Sequence, residues 1–243
     1  MTDVTTLILF DIDGTLLWTD GAGRRAIHAA LIEVFGTTGP SDYWFDGKTD
    51  RQIVRDLMRR EGHGDPHIDA SMDALFARYA ERLREELRDP AHPPLLLPGV
   101  MPLLDALEAR ADVALGLLTG NIIEGAQAKL SAVGIDPARF RICAFGSDRE
   151  YRPDLPAVAF ERARSILGAD LPPHSAVVVG DTPADIDCGR RAGTRTVAVA
   201  TGRYSVDELL EHRADAVFAD LRDTDAVLHA LLDGSRRETD DVP

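Results

Sequence analysis

A chain of 243 residues with 44% apolar and 28% charged side chains can bury a sizeable core and has the balance of an ordinary globular protein. Its formal net charge of −14 argues against a partner such as nucleic acid, which needs a basic face, and no apolar run is long enough for a membrane span. An anionic ligand must therefore be drawn in by local cations or a metal rather than by the overall field. The two cysteines, Cys143 and Cys188, form no C-x-x-C pair, so a structural zinc or a dithiol motif is not expected. Met1–Thr6 is short and polar and lacks a signal-peptide pattern, so a cytoplasmic location is the expectation.

Leu7–Phe10 is an apolar run of strand length. It ends in Asp11-Ile12-Asp13-Gly14-Thr15, two carboxylates one residue apart followed by a turn. Residues i and i+2 of an extended chain point the same way, so Asp11 and Asp13 can converge on one spot. Gly14 lets the backbone turn there without a side-chain clash. A buried strand running into two acids is costly unless something uses them.

Ala26, Ile27, Ala30, Leu31 and Val34 predict a helix over 24–35, stopped by Gly36. A polar, aromatic loop over 40–50 follows, and Thr49 with Gln52 reads as the capped start of a second helix. A third helix lies within 69–87, and Pro90, Pro93, Pro94 and Pro98 suggest a linker. From Gly99 onward helices alternate with short apolar strands. Helices are predicted over 101–110, 122–133, 156–167, 183–192 and 221–232. Strands are predicted over 113–118, 142–145, 176–179, 196–200 and 216–218.

That alternation predicts an α/β fold, a doubly wound parallel sheet with helices on both faces. A lone strand is not stable, so Leu7–Phe10 must join the sheet. The helical segment directly after it is then an inserted α-helical cap over residues 17–96. The core comprises 1–16 and 97–234, and 235–243 is a frayed tail. Ligands of open α/β sheets sit beyond the carboxyl ends of the strands, so the cap is placed as a lid over that edge.

Three further strand ends carry polar groups to the same edge: Thr119-Gly120-Asn121, Gly180-Asp181-Thr182-Pro183-Ala184-Asp185, and the stretch from Gly146 to Arg152-Pro153. Asn121 with Glu124, and Thr182 with Asp185, also read as helix starts. Capping does not explain acids gathered opposite an Arg and a strand-end Thr. Asp11, Asp13 and Asp181 repel one another and call for a hard divalent cation; Mg²⁺ fits oxygen ligands and substrate phosphate alike. Such a set suits phosphoryl transfer. Asp11 is the nucleophile, and Asp13 the acid and then the base. Thr119 with the N–H groups of Gly120 and Asn121 holds the phosphoryl oxygens, and Arg152 adds a fixed charge.

These four motifs, in this order, resemble the haloacid dehalogenase superfamily, specifically phosphatases with a small helical cap of the phosphoglycolate phosphatase-like kind. The resemblance covers nearly the whole chain and implies a Mg²⁺-dependent phosphatase acting on a small phosphorylated metabolite through an aspartyl-phosphate. By it, Asp11, Asp13 (through its carbonyl) and Asp181 hold the metal, and Asp185 supports the metal's waters. The family's third-motif cation is usually Lys. Here it falls on Arg152, with Arg149 as a competitor. The presence of Asp13 favours a phosphate ester over a haloacid or phosphonate. In the cap, Lys48 is matched to the substrate-reading loop and can reach a second anionic group. Arg24 and Arg25 are further candidates, one of the pair facing solvent. A phosphosugar mutase of the β-phosphoglucomutase type uses the same aspartate pair, and a phospho-acceptor signalling module shares the strand-end Asp, Thr and cation but lacks the lid and Asp13.

Overall fold

The computed structural model describes residues 4–168 and 170–233. Strand β1 (Thr6–Phe10) is buried along its whole length and forms the middle of a six-stranded, wholly parallel sheet. The other strands are β4 (Val113–Thr119), β5 (Ile142–Phe145), β6 (Ala176–Gly180), β7 (Arg195–Val199) and β8 (Ala216–Phe218), in the order β5-β4-β1-β6-β7-β8. Phe10 lies opposite Leu117 of β4 on one side and Val179 of β6 on the other. The winding direction reverses across β1, which creates a crevice beyond its carboxyl end, and Asp11 opens into it.

The two-residue period of a strand divides the core. Ile8 and Phe10 face α4 (Val100–Glu108), α5 (Ile123–Ala132) and α9 (Thr224–Leu232), through Leu103, Leu104, Leu107, Ala126, Leu130 and Val227. Leu7 and Leu9 face α6 (Leu155–Leu167) and α7 (Pro183–Ala192), through Leu155, Ala159 and Cys188. Both faces are thus covered, the condition for a parallel sheet.

Between β1 and β4, a two-stranded antiparallel ribbon pairs β2 (Leu17–Trp18) with β3 (Leu95–Leu96). The chain between these strands folds into α1 (Ala22–Phe35), α2 (Asp50–Arg60) and α3 (Asp65–Glu86). The three helices share an apolar cluster of their own, built from Ile27, Leu31, Val54, Leu57, Met58, Met72, Leu75 and Leu83.

Several elements differ from their sequence-predicted form. The proline-rich stretch read as a linker contains β3, and two-residue strands leave no periodicity to read. Helix α3 starts at Asp65, with Pro66 in its first turn, four residues ahead of the predicted start. A short helix not anticipated, α8 (Val206–Glu211), is capped by Ser205 with Glu208. The last helix begins at Thr224, because the Asp223 side chain accepts from the Ala226 N–H. Asn121 is not a helix cap: Ile122 holds that position, and the exposed N–H groups are met from elsewhere. The tail over 235–243 lies outside the described residues.

Candidate active site

The carboxyl ends of β1, β4 and β6 bring Asp11, Thr119 and Asp181 together on the wall of one cavity of about 270 Å³. Asp13, Gly120, Asn121, Arg152, Arg24 and Lys48 line the same cavity. Asp11 and Asp181 are almost completely buried. Desolvation pushes the Asp11 carboxyl up to about 6, against the pull of Arg152, and Asp185 and Asp13 add to the rise. Asp181 is raised well above the usual range as well, by burial and then by the charges of Asp185 and Asp11.

The turn after β1 is shaped around Asp181. Gly14 adopts φ +77°, and a Cβ there would lie 2.3 Å from the Asp181 Oδ2. Thr15 donates its hydroxyl to Asp181 Oδ1 at 3.2 Å. Gly202, after β7, closes the other side, since a Cβ there would fall 1.8 Å from Asp181 Oδ2.

Asp185 opens α7. Its Oδ2 accepts from the Thr182 N–H at 3.0 Å and the Thr182 hydroxyl at 2.6 Å, completing the capping box the spacing predicts. Its Oδ1 pairs with Arg152. One carboxylate oxygen each from Asp11, Asp181 and Asp185 falls within 4.8 Å of the others. Three buried acids at that spacing are strongly repulsive without positive charge between them.

Arg152 supplies part of that charge. A 3-10 turn over Arg152–Asp154 carries it beneath the strand ends, where it is 4% exposed. Its Nη2 is 3.3 Å from Asp11 Oδ2 and also donates to the Leu118 carbonyl at 3.1 Å. Its Nε, fully buried, finds no acceptor among the described residues. Such an orphan donor is costly unless an oxygen reaches it. Arg149 is exposed and, among the described residues, bonds only the carbonyl of Asp148, so of the two arginines Arg152 is the one beside Asp11.

Asn121 turns its amide inward. Its Nδ2 donates to Thr119 Oγ1 at 2.8 Å and to Asp13 Oδ2 at 2.8 Å. The helix-start donors it was expected to serve are taken by Asp50, which accepts from the Ile122 N–H at 2.8 Å, and by the Ser147 hydroxyl, which accepts from the Ile123 N–H at 3.0 Å.

The helical segment closes over this edge. Asp50 N–H donates to the Gly120 carbonyl at 2.8 Å. Arg55 of α2 is buried and pairs with Glu150 at 2.7 Å across the divide. Arg203, from the loop after β7, stacks on Trp44 with its guanidinium 3.7 Å from the ring centre. Arg24 lies 3.9 Å from the Phe45 ring centre and donates to the Tyr43 carbonyl. Lys48 sits over the Tyr43 ring and donates to the Trp44 carbonyl. Neither makes an ion pair among the described residues, whereas Arg25 turns away to Glu86 at 2.6 Å.

This closeness makes a stability prediction. A Cβ on Gly120 would lie 2.1 Å from the Lys48 carbonyl oxygen, a backbone atom that cannot step aside. Gly120→Ala is expected to destabilise the fold by about 1–3 kcal/mol, the usual scale of overpacking. A thermal melt equal to wild type would show that the Lys48 loop does not rest on the strand end.

Sequence reasoning missed Lys129, Asp50, Tyr79, Trp18 and Arg203, all of which line the cavity. Lys129 did leave a signal: it interrupts the apolar face Ile122, Ala126, Leu130 of α5, where a charge is rarely buried without a partner.

A family model described as haloacid dehalogenase-like hydrolase matches residues 5–193. The chain is 32% identical over 138 residues to pyrophosphatase PpaX of Bacillus pumilus, covering 56% of this chain and 62% of that protein, which is less than two thirds of its length. It is 27% identical over 218 residues to protein CbbY of Cereibacter sphaeroides, covering 83% and 86% of the two chains. The crystal structure of a hydrolase from Pseudomonas syringae superposes with a TM-score of 0.69 at 25% identity, over 92% of this chain and 97% of that one. With the match spanning β1 through α7 and including Asp11, Asp181 and Asp185, the chain belongs to the haloacid dehalogenase-like hydrolase family.

Proposed function

We propose that this hydrolase is a Mg²⁺-dependent phosphatase that cleaves a small-metabolite phosphate monoester through an aspartyl-phosphate on Asp11. The observation that carries the reading is the meeting of Asp11, Asp181 and Arg152 at the end of the central strand, on the wall of one cavity. The donor set fits the metal: buried, hard carboxylate oxygens held above their normal titration range by desolvation and mutual charge. Asp11 and Asp181 would hold it together with the Asp13 carbonyl. Asp185, whose oxygens are committed to Arg152 and Thr182, would support its waters. When bound, the cation neutralises the aspartates and draws in the phosphoryl group.

Asp11 attacks phosphorus, and the bond to the ester oxygen breaks. Asp13 gives a proton to that oxygen, then takes one from the water that cleaves the aspartyl-phosphate. Thr119, with the N–H groups of Gly120 and Asn121, holds the equatorial oxygens, and Arg152 stabilises their charge. Residues 17–96 act as the cap that excludes bulk water. Its cations Arg24 and Lys48, which make no ion pair among the described residues, favour a substrate with a second anionic group. A cavity of about 270 Å³ suits a small metabolite.

The test is phosphate release from a panel of small phosphate esters, including phosphoglycolate, sugar phosphates and nucleotides, with Mg²⁺ and with chelator. Release from dianionic-headed small esters in Mg²⁺, lost in chelator, is expected. No release from any ester would overturn the reading, and isomerisation of a sugar phosphate without release would replace it with a mutase.

Metal affinity carries a pH prediction. Asp11 titrates near 6 and Asp181 is raised too, so below that range a cation must displace protons to bind. Mg²⁺ affinity should fall by roughly tenfold per pH unit per proton displaced as the pH drops from 7 to 5. Calorimetric titration at pH 5, 6 and 7 reads this directly. An affinity independent of pH would show that these carboxylates are not the ligands.

A further inference from the structure

Lys129 belongs to none of the four strand-end motifs, yet it is only 4% exposed and its ammonium faces the reacting edge. Its Nζ donates to Asp13 Oδ2 and to Asn121 Oδ1, each at 2.6 Å. Asn121 Nδ2 donates to the same Asp13 Oδ2 at 2.8 Å. Two donors thus converge on one oxygen, while Asp13 Oδ1 takes no hydrogen bond among the described residues. The Asp13 side chain is 38% exposed on the cavity wall, so its unengaged oxygen is the one a ligand can meet.

The helices of the lid enclose the ammonium from the other side. Asp50 of α2 is buried within electrostatic range of Lys129 and is hydrogen-bonded to Tyr79 of α3. Gly23 of α1 backs onto the pair: a Cβ there would lie 3.4 Å from Lys129 Nζ and 3.6 Å from the Tyr79 hydroxyl. A buried ammonium is a poor way to stabilise a helix face that Ala126 and Leu130 already pack, because apolar side chains of similar volume generally do better. The feature such an ion pair does supply is a fixed orientation for its partner.

Resting on the phosphatase reading above, we propose that Lys129 is the positioning residue of the acid/base: with Asn121 it clamps Asp13 Oδ2, so that Oδ1 meets first the ester's bridging oxygen and then the attacking water. Lys129 makes no bond to substrate in this role. Its effect passes through the aim of one carboxylate, where a displacement of about 1 Å is enough to cost on the order of 10²-fold in rate.

The experiment compares wild type, Asp13→Asn, Lys129→Met and the double variant in Mg²⁺ with whichever ester the wild type hydrolyses best. Lys129→Met is expected to lower kcat by about 10–100-fold with KM changed little. The double variant should be no slower than Asp13→Asn alone, because a residue that acts only through Asp13 has nothing left to aim. A lysine that merely holds α5 in place would give multiplying losses and a KM shift, and that result overturns the proposal, as does a wild-type kcat in Lys129→Met. Should Lys129→Met not fold, Lys129→Arg keeps the charge and shifts its donors. Lower kcat at constant KM then supports the clamp, and an unchanged kcat overturns it. If wild type itself releases no phosphate, the phosphatase reading fails rather than the positioning role.

Discussion

Asp11→Asn is expected to lower phosphate release by on the order of 10⁴-fold or more, because the substitution removes the attacking oxygen and leaves its surroundings in place. The amide keeps the size of the carboxylate and can still accept from Thr119, whose hydroxyl bonds Asp11 in the wild type. No acid-stable phosphoprotein should be recovered by rapid quench. The same variant makes a stability prediction that separates loss of chemistry from loss of fold. Burial raises Asp11 from the ordinary carboxylate range to about 6, so its ionised form is disfavoured in the metal-free folded protein. That penalty is absent below the unfolded-state value, grows as the pH rises, and is complete above about 6. Without metal, Asp11→Asn should therefore melt higher than wild type at pH 7–8 and level with it near pH 4. Wild-type turnover by Asp11→Asn would refute the covalent route. A lower melting temperature at pH 8 would show that the Arg152 contact outweighs desolvation.

Asp13→Asn should cost about 10²–10⁴-fold with alkyl phosphates, the usual range for a lost acid/base. Its dependence on the leaving group is more telling than its size. An acidic leaving group such as p-nitrophenol departs without a proton, so Asp11 should still become phosphorylated at a near-normal rate. Hydrolysis of that intermediate needs the base and should slow for every substrate. Rapid quench with p-nitrophenyl phosphate is expected to show a burst followed by accumulated phosphoenzyme. Equal slowing of the burst for acidic and alkyl leaving groups, with normal breakdown, would remove Asp13 from both steps.

The residues proposed to bear this chemistry sit differently with respect to what the chain pattern can reveal. Strands β1, β4 and β6 are buried on both faces, so they read as continuous apolar runs, and the polar residue ending each run marks the edge that lines the cavity. Thr182 with Asp185 is legible because a capping box is a contact within one turn. The pattern Asn121 with Glu124 looks the same and fails. The Ile122 and Ile123 N–H groups are met by Asp50 and Ser147, more than twenty residues away in either direction. Nothing within the turn distinguishes the two cases.

Arg149 and Arg152 could be told apart only when the 3-10 turn at Arg152 and the N-terminus of α7 were both in place. Lys129 shows the same limit. Its position on an apolar helix face says that a buried charge needs a partner, but that partner, Asp13, lies 116 residues earlier. The two-residue strands β2 and β3 are shorter than any repeat that could announce them.

By itself the sequence determined the alternation of strands and helices, the insertion after the first strand, and the aspartates, threonine and glycines at the strand ends. All of these follow from periodicity and turn chemistry within a few residues. The tertiary structure alone decided which arginine stands beside Asp11, where Asn121 points, and that a lysine of α5 grips Asp13. Each of those outcomes is a competition among donors and acceptors brought together from distant parts of the chain, and such a competition has no local trace.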